Sequence, residues 1–365
     1  MKTVNKCRQL PTDDKFIYRH DSICVSSHKK LLVVERFKSK KLVDVTGEKM
    51  TEDVSVIICT YNERRNVKRC VESVLKSDDR INDILVIDDC STDKTIERVR
   101  ELKDYRVRAY RKDHSKFSRG KNDSIYYGAL LAHNENVLIV DCDTISVDNS
   151  DVIDKILNGA DLVGTVIEVI ANETTLSKLE KLEYDIGIGI ARPWLHRNLN
   201  YLNNVSGAGF AIKRKHLIEN RIPAHVKGED MALTQIGIKN NWKIELSSSV
   251  IKTYATPGLK ALFIQRNRWV SGYYSVMKHT GRYVPLVESL TIYYRTAVLS
   301  AFVFSASFTE HFLTLSAITM FLYFLNEYRF IKSVKWTFLM MLYRQINFVS
   351  ALTFWKYGKK WTVLR

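Results

Sequence analysis

Glycine and proline are scarce in this chain of 365 residues, which contains 15 of the first and 5 of the second. This scarcity excludes collagen-like and low-complexity sequences. The six cysteines include no C-x-x-C pair, so the common zinc-binding spacings are absent. The first fifteen residues contain no apolar run, and we therefore expect no cleaved signal peptide. No G-x-G-x-x-G or G-x-x-x-x-G-K loop follows the first hydrophobic strand, which counts against NAD binding and P-loop hydrolysis.

The composition is that of a folded, strongly basic protein. Hydrophobic residues make up 45% of the chain and charged residues 26%, which excludes global disorder. An excess of 56 Lys and Arg over 40 Asp and Glu gives a net charge of +16. Such a charge suits a phosphate-bearing ligand, a nucleic acid or an anionic membrane surface. All six cysteines fall within the first 142 residues, and we expect them to be reduced thiols in a cytoplasmic domain.

Short apolar runs alternate with helical patterns in the first half of the chain. The runs are rich in β-branched residues, as buried strands are, and cover residues 54–59, 84–88, 137–141 and 162–169. Apolar residues recur at helical spacing from Val67 to Leu75, and further helices are expected near Ser91 and over 120–133. This alternation predicts an α/β fold with an open, mainly parallel sheet.

The C-terminal part of the chain contains the membrane signals. Residues 290–308 are apolar except for Arg295 and are long enough to cross a bilayer. Residues 312–325 reach only about 21 Å as a helix. Residues 336–355 carry Arg344 near their centre with other polar side chains, which lipid tolerates only where they face protein or water. We therefore expect one to three membrane spans.

Acidic and hydroxylated residues follow three of the predicted strands. These strand ends are Thr60-Tyr61-Asn62-Glu63, Asp88-Asp89-Cys90-Ser91-Thr92-Asp93 and Asp141-Cys142-Asp143. In open α/β sheets, ligands bind outside the carboxyl ends of the strands, so we expect these side chains to share one rim. A single D-x-D more often only caps or solvates a strand. Three such ends together suit a divalent cation shared with substrate phosphates, and Asp88 could accept a hydrogen bond from a nucleobase.

Two further clusters lie downstream. Glu229 and Asp230 begin a helical pattern, where acids are also favoured simply because they stabilise a helix N-terminus. Gln265, Arg268 and Trp269 fall on one helical face at spacing i, i+3, i+4. A basic amphipathic helix lying on a membrane surface would give the same pattern.

Taken in order, these motifs resemble the family 2 glycosyltransferases with a GT-A fold. The motifs are V-x-I-I-C-T-Y-N-E, I-D-D-x-S-T-D-x-T, D-x-D, G-E-D and Q-x-x-R-W, spread over about residues 54–272. The match looks closest to the membrane branch that includes cellulose, chitin and hyaluronan synthases. The resemblance implies a Rossmann-like nucleotide-sugar transferase domain followed by interfacial and transmembrane helices.

The resemblance implies donor-side roles for particular residues. The nucleotide is expected along the ends of the first two strands, at Thr60, Tyr61, Glu63 and Asp88, with Asp88 on the base, which we expect to be uracil. Asp143 would ligate Mg2+ or Mn2+ on the donor diphosphate, with Asp141 nearby on the ribose or in the metal shell. Lys121 matches a basic residue that often precedes the third helix in this family.

It also implies roles on the catalytic and acceptor side. Asp230 matches the general base, with Glu229 beside it in the same motif. Gly207 lies in a small-residue strand where absent side chains leave room for a sugar. The gate at the acceptor mouth matches Gln265, Arg268 and Trp269. The first two of these would face the donor diphosphate, and Trp269 would stack on a sugar ring.

The implied function is a membrane-associated, inverting glycosyltransferase that extends a polysaccharide from a nucleotide sugar. The expected domains are an N-terminal extension (1–50), a cytoplasmic GT-A catalytic domain (51–250), gating and interfacial helices (251–287) and a membrane region (288–365). The sequence departs from the best-known synthases, which place spans before the catalytic domain and several after it. G-E-D also replaces their commoner T-E-D or S-E-D. An alternative is therefore a transferase that adds one or a few sugars to a lipid or lipid-linked acceptor, unless several subunits build a channel as an oligomer.

Two other classes of function are less consistent with the sequence. The charge of +16 and runs such as 38–41 would suit a nucleic-acid-binding protein, but the chain contains no nucleic-acid-binding motif, and we expect no nucleic acid partner. A non-catalytic scaffold on the same fold would have no reason to keep Asp88, Asp143, Asp230 and Trp269 as a set.

Overall fold

The chain folds as two units, Met1–Thr51 and Glu52–Arg365. The computed structural model describes residues 19–20, 23–24, 53–202, 204–283, 298, 310–346 and 349–350. In the first unit, strand β1 (Arg19–His20) pairs antiparallel with β2 (Ile23–Cys24). Most of the predicted extension and nearly all of the predicted span 290–308 lie outside the described residues.

An eight-stranded mixed sheet forms the centre of the second unit. Its order is β5-β4-β3-β6-β9-β8-β10-β7. The strands are β3 (Val54–Thr60), β4 (Ile81–Asp88), β5 (Val107–Arg111), β6 (Asn136–Asp141), β7 (Thr144–Asp148), β8 (Leu162–Ile170), β9 (Gly209–Lys213) and β10 (Ile244–Tyr254). Strands β9 and β7 run against the other six, because both pair antiparallel with their neighbours.

Helices cover the sheet, with a short π-helical segment (Asp185–Ala191) between the fifth and sixth. They are α1 (Val67–Leu75), α2 (Thr95–Arg100), α3 (Lys121–Leu131), α4 (Ser150–Leu157), α5 (Thr175–Tyr184), α6 (Arg192–Leu199), α7 (Arg214–Glu219), α8 (Glu229–Lys239), α9 (Leu259–Thr280), α10 (Glu310–Ile331) and α11 (Val334–Tyr343). Alternate residues of β3 enter opposite cores. Val56 and Ile58 pack in the core on the side of α1, and Ile57 packs in the core on the side of α3. Burial on both faces explains why this strand is a continuous hydrophobic run.

The four apolar runs match β3, β4, β6 and β8, and the helical pattern from Val67 to Leu75 matches α1. The sheet is mainly parallel, as predicted, but it is mixed. Strand β9 is inserted antiparallel between β6 and β8. The other four strands gave weaker signals, because β5, β7 and β10 are partly polar and β9 is only five residues long. Strand β10, for example, contains three consecutive serines and shifts register between Leu246 and Val250.

The C-terminal helices α10 and α11 pack on each other, and α11 also contacts α5. Arg344, just after α11, is mostly shielded from water and lies 3.0 Å from the carboxylate of the buried Glu327 on α10. This polar residue of the predicted segment 336–355 therefore faces protein. Within the described ranges, no helix has both the length and the apolarity needed to cross a membrane.

A buried polar cluster ties together the amino ends of the parallel strands. The carboxylate of Asp83 on β4 is 2% exposed and accepts hydrogen bonds from Ser55 (2.8 Å) and Arg108 (2.7 Å). It also accepts one from the backbone N–H of His133 (3.0 Å). One carboxylate thus links β3, β4, β5 and the end of α3.

We predict that Asp83→Ala lowers the free energy of unfolding by about 2–3 kcal/mol, because it leaves buried donors without their acceptor. Chemical denaturation measures the change. The control is Glu101→Ala, which removes an exposed ion pair with Arg98 and should cost less than about 0.5 kcal/mol. Equal losses in the two variants would contradict a structural role for the Asp83 cluster.

Candidate active site

The predicted strand ends meet at one rim because the strands are in register. Thr60 at the end of β3 lies opposite Asp88 at the end of β4. On the other side of β3, Cys59 lies opposite Asp141 at the end of β6. The backbone ladders therefore bring the three polar segments together, and the expectation of a shared rim is correct.

Two residues with left-handed backbone shape the loops at this rim. Asn62 (φ 55°) follows β3, and Cys90 (φ 61°) follows β4. The Asn62 backbone N–H donates to the Ser91 hydroxyl (2.8 Å), and the Thr92 N–H donates to the Asn62 side-chain oxygen (2.9 Å). Such conformations cost free energy in residues other than glycine and need support from their surroundings. Here these reciprocal hydrogen bonds support them.

Asp88 is fully buried beneath the rim. One of its carboxylate oxygens accepts from the Ser91 hydroxyl, and the other accepts from Arg111 Nε at 3.1 Å. A nucleobase N–H would have to share these oxygens or displace a donor. The base contact implied for Asp88 stays a prediction.

A second buried carboxylate, Asp89, organises the loop that leads into α3. It lies 2.6 Å from the ammonium of Lys112, which is itself buried, and accepts from the Gly120 N–H at 2.7 Å. Lys112 also donates to the Gly120 carbonyl at 3.0 Å. His114 lies 2.8 Å from Asp89 on the same loop. These contacts fix the backbone immediately before Lys121.

The Lys121 ammonium lies at the centre of the rim. It is 2.6 Å from a carboxylate oxygen of Asp141 and 2.6 Å from one of Glu229, and it donates to the Gly207 carbonyl at 3.0 Å. Asp141 comes from β6 and Glu229 from the start of α8. One lysine thus joins the D-x-D segment to the G-E-D segment, which are far apart in sequence.

The carboxylates around Lys121 have shifted pKa values. Burial raises the pKa of Asp141 to about 6; Lys121 opposes the rise, and Asp143 and Glu229 add to it. Burial also raises the pKa of Glu229, but the charge and hydrogen bond of Lys121 outweigh it, and the pKa lies below its usual value. Burial and the neighbouring Glu229 raise the pKa of Asp230. The pocket therefore carries more negative charge than Lys121 alone neutralises.

Asp230 lies beside Gly207, which the structure places in a turn just before β9 and not, as expected, in the strand itself. Its carboxylate accepts a hydrogen bond from the Asn204 side-chain amide at 3.1 Å. A Cβ placed on Gly207 would lie 3.0 Å from an Asp230 oxygen, which is tighter than most real Cβ contacts and would require the carboxylate to shift by a few tenths of an ångström. Glycine at 207 therefore leaves room for the carboxylate itself, in addition to any room for substrate.

Helix α9 contributes the Q-x-x-R-W segment. Gln265, Arg268 and Trp269 are half-buried and line one wall of the site, on the helical face that the spacing predicted. Arg266 is 2% exposed, and its guanidinium carbon lies 4.0 Å from the centre of the Trp269 ring. The rings of Tyr184 and Trp269 are 6.2 Å apart.

A cleft of about 2640 Å³ opens at the rim. Every sequence-predicted site residue except Asp88 contributes to its lining: Thr60, Tyr61, Glu63, Lys121, Asp141, Asp143, Gly207, Glu229, Asp230, Gln265, Arg268 and Trp269. The cleft is large enough for a nucleotide together with a second substrate.

The D-x-D carboxylates suit a divalent cation that is bound jointly with a phosphate ligand. In the part of the chain that the structure describes, no three His, Cys, Asp or Glu side chains form a preassembled metal cluster. Mg2+ is typically held by one or two carboxylates together with substrate phosphates. Asp141 and Asp143 supply this donor set. Burial is the main cause of the raised pKa of Asp141, and the negative charges of Asp143 and Glu229, which a cation would offset, add to it.

Residues 55–219 match the sequence profile of glycosyl transferase family 2. The chain carries a family 2 glycosyltransferase domain. This domain contains β3 to β9 and hence the rim, the D-x-D segment and Gly207. The G-E-D and Q-x-x-R-W segments lie beyond the matched residues.

Two curated relatives are poly-beta-1,6-N-acetyl-D-glucosamine synthases of Staphylococcus epidermidis. They are 25% and 24% identical to this chain over 264 residues, which is 67% of this chain and 60% of each relative. The chain therefore spans less than two thirds of their length. Among solved structures, a mannosyltransferase from Pyrobaculum calidifontis in complex with GDP-Man and Mn2+ superposes with a TM-score of 0.51 at 19% identity. That match covers 82% of this chain and 86% of the mannosyltransferase, and it indicates a common fold.

The sequence reasoning missed several residues of the candidate site. Lys112 and Asn204 are polar residues with no motif around them, and only the fold brings them to Asp89 and Asp230. Arg266 stands inside the Q-x-x-R-W segment at a position that the motif leaves open. Glu183 on α5, which pairs with Arg266, precedes the recognised motif by more than eighty residues.

We predict that Lys121→Met destabilises the domain in a pH-dependent way. Without the ammonium, the pKa of Asp141, which is already raised, rises further, and the pKa of Glu229 rises above its unfolded-state value. The folded state then binds protons more readily than the unfolded state, and stability increases as pH falls. The melting temperature should drop by about 2–6 °C near about pH 8 and by clearly less near about pH 5.5.

Differential scanning fluorimetry across this pH range measures the effect. Lys68→Met removes an exposed ion pair with Glu72 and should produce only a small, pH-independent change. A loss for Lys121→Met that is the same at every pH would contradict the charge balance described above.

Proposed function

We propose that this protein is an inverting, metal-dependent glycosyltransferase that moves a sugar from a nucleotide-linked donor to a growing polysaccharide. The observation that carries the proposal is the position of Asp230. Its carboxylate, with a raised pKa, faces the same cleft as the D-x-D segment and the Q-x-x-R-W helix. A base, a cation-binding pair and an aromatic wall thus converge on one cleft.

The donor end of the cleft is the rim of the sheet. Thr60, Tyr61 and Glu63 line it next to the D-x-D segment, consistent with a nucleotide along the ends of β3 and β4. Lys121 and Arg268 bring positive charge toward the expected position of the diphosphate. When bound at Asp141 and Asp143, Mg2+ or Mn2+ would supply Lewis-acid stabilisation of the departing diphosphate. The mannosyltransferase of similar fold is in complex with Mn2+, which supports a divalent cation here.

Asp230 is suited to accept a proton from the acceptor hydroxyl. Its raised pKa makes it a stronger base than an ordinary aspartate, and Asn204 holds its carboxylate at 3.1 Å. The acceptor oxygen would attack the anomeric carbon as the diphosphate leaves on the opposite side. One such displacement inverts configuration, so an α-linked donor would give a β-linked product. Arg268 would stabilise charge on the leaving group.

A polysaccharide acceptor is supported by the relatives, which are synthases of poly-beta-1,6-N-acetyl-D-glucosamine. Trp269 provides an aromatic face in the cleft on which a sugar ring could stack. Membrane association is part of the proposal. Apolar side chains of the C-terminal helices are exposed, among them Leu315, Phe321, Leu322, Phe338 and Leu342.

We predict that Asp230→Asn reduces the rate of sugar transfer about 10²- to 10⁴-fold, because the amide cannot accept the proton. Nucleotide binding should remain close to that of the unmodified protein, since Asp230 does not contact the donor nucleotide in this proposal. Calorimetry with UDP and Mn2+ measures binding, and release of the nucleoside diphosphate measures turnover.

Asp154→Asn is the matched control, since Asp154 is an exposed residue of α4 that pairs with Arg80 away from the cleft. Near-normal turnover in Asp230→Asn would show that another group is the base.

We also predict metal-dependent release of a nucleoside diphosphate from a single donor in a screen of UDP- and GDP-sugars. UDP-N-acetylglucosamine is the first donor to test, because the relatives are named for its polymer. Chelation with EDTA should abolish release and Mn2+ should restore it. Sizing the product separates the two acceptor classes. A long, glycosidase-sensitive product supports a polysaccharide synthase, and a product no larger than a glycolipid supports transfer to a lipid-linked acceptor.

A further inference from the structure

A buried network connects the C-terminal helices to the Q-x-x-R-W helix. The carboxylate of Glu183 on α5 lies 2.5 Å from Arg266 Nη2 and accepts from the Tyr343 hydroxyl at 2.9 Å. Arg266 also donates to that hydroxyl at 2.9 Å. Arg344 lies 3.9 Å from Glu183 and 3.0 Å from Glu327 on α10. Four helices therefore meet at two carboxylates, with little exposure to water.

This network terminates at Trp269. The guanidinium of Arg266 stacks over the Trp269 ring at 4.0 Å, a distance typical of a cation–π contact. Tyr184, which follows Glu183 directly in sequence, packs against the same ring. Glu183 is therefore linked to Trp269 in two ways: through its ion pair with Arg266, and through Tyr184, its neighbour in the chain.

The C-terminal helices also reach the cleft directly. Asn326, Glu327, Arg329 and Phe330 at the end of α10, together with Arg344, contribute to its lining. A displacement of α10 and α11 would therefore move both a wall of the cleft and the hydrogen bond that holds Arg266. Because a buried carboxylate that loses one partner is costly, the network favours a single arrangement of these groups.

We propose that the C-terminal helices α10 and α11 set the position of Trp269 through Tyr343, Glu183 and Arg266, and thereby control how the cleft holds the acceptor. The effect on acceptor binding rests on the function proposed above, whereas the positioning of Trp269 does not. Glu183, Arg266 and Tyr343 are positioning residues in this scheme, because they act on the substrate only through the indole ring.

The sharpest variant is Tyr343→Phe, which removes one hydroxyl and leaves the ring in place. The first readout does not depend on activity. Acrylamide quenching of tryptophan fluorescence is measured with and without Trp269→Phe, and the difference isolates the Trp269 signal. Tyr343→Phe should increase quenching of that signal at least about 1.5-fold, because Arg266 loses a partner. Tyr328→Phe, on a ring that stacks on Phe324 of α10, is the control and should leave the signal unchanged.

The second readout separates positioning from simple destabilisation. For Tyr343→Phe, the KM for the acceptor should rise about three- to tenfold, while kcat and the affinity for UDP stay within about twofold. Combined with Trp269→Ala, Tyr343→Phe should have no further effect, because the ring through which it acts is gone. Effects that multiply in the double variant would overturn the proposal.

The two readouts have different consequences. An unchanged Trp269 signal in Tyr343→Phe would overturn the positioning link, whether or not the protein transfers sugar. A changed signal in a protein that uses no nucleotide sugar would confirm the positioning of Trp269. It would refute the proposed function and, with it, the proposed effect on acceptor binding.

Discussion

The ion pairs of Lys121 are the interaction on which the site depends. Its ammonium lies 2.6 Å from both Asp141 and Glu229, so one cation holds the end of a central strand against the start of a helix. Without that charge, the carboxylates of Asp141 and Glu229 would face the same space with no cation between them. The surrounding structure is arranged to keep Lys121 in place. Lys112 and Asp89, both buried, fix the backbone of Gly120 directly before it.

The sequence predicts the rim better than it predicts the rest of the fold. Buried parallel strands such as β3 are continuous apolar runs, and their ends are in register, so residues following them must share an edge. Strand β9 is only five residues long, and β10 mixes polar with apolar residues, so periodicity alone does not identify them. The antiparallel insertion of β9 depends on long-range pairing with β6 and β8, which no local pattern encodes.

A similar limit applies to the site. Asp141, Asp230 and Trp269 stand in motifs whose residue types suggest their chemistry. Lys112 and Glu183 do not, because their importance arises from a partner that is distant in sequence. Arg266 illustrates the difference most clearly. It is two residues from Arg268 and lines the same cleft, yet its guanidinium is buried and bonds to Glu183 and Tyr343, whereas Arg268 is only half-buried. The helical period separates the two faces, but only the packed structure reveals what each face meets.

The two ends of the cleft are held by different kinds of interaction. The rim end is built on strand ends that backbone ladders keep in register, and a ladder of this kind cannot shift by a fraction of a residue. The opposite end is built on α8, α9 and the C-terminal helices, which buried side-chain pairs hold together. Side-chain pairs can exchange partners when a helix moves, whereas the strands of a central parallel sheet cannot slide without breaking their backbone hydrogen bonds. Under the proposed function, the rim would therefore keep the nucleotide in a constant position while the helices around Trp269 adapt to the acceptor.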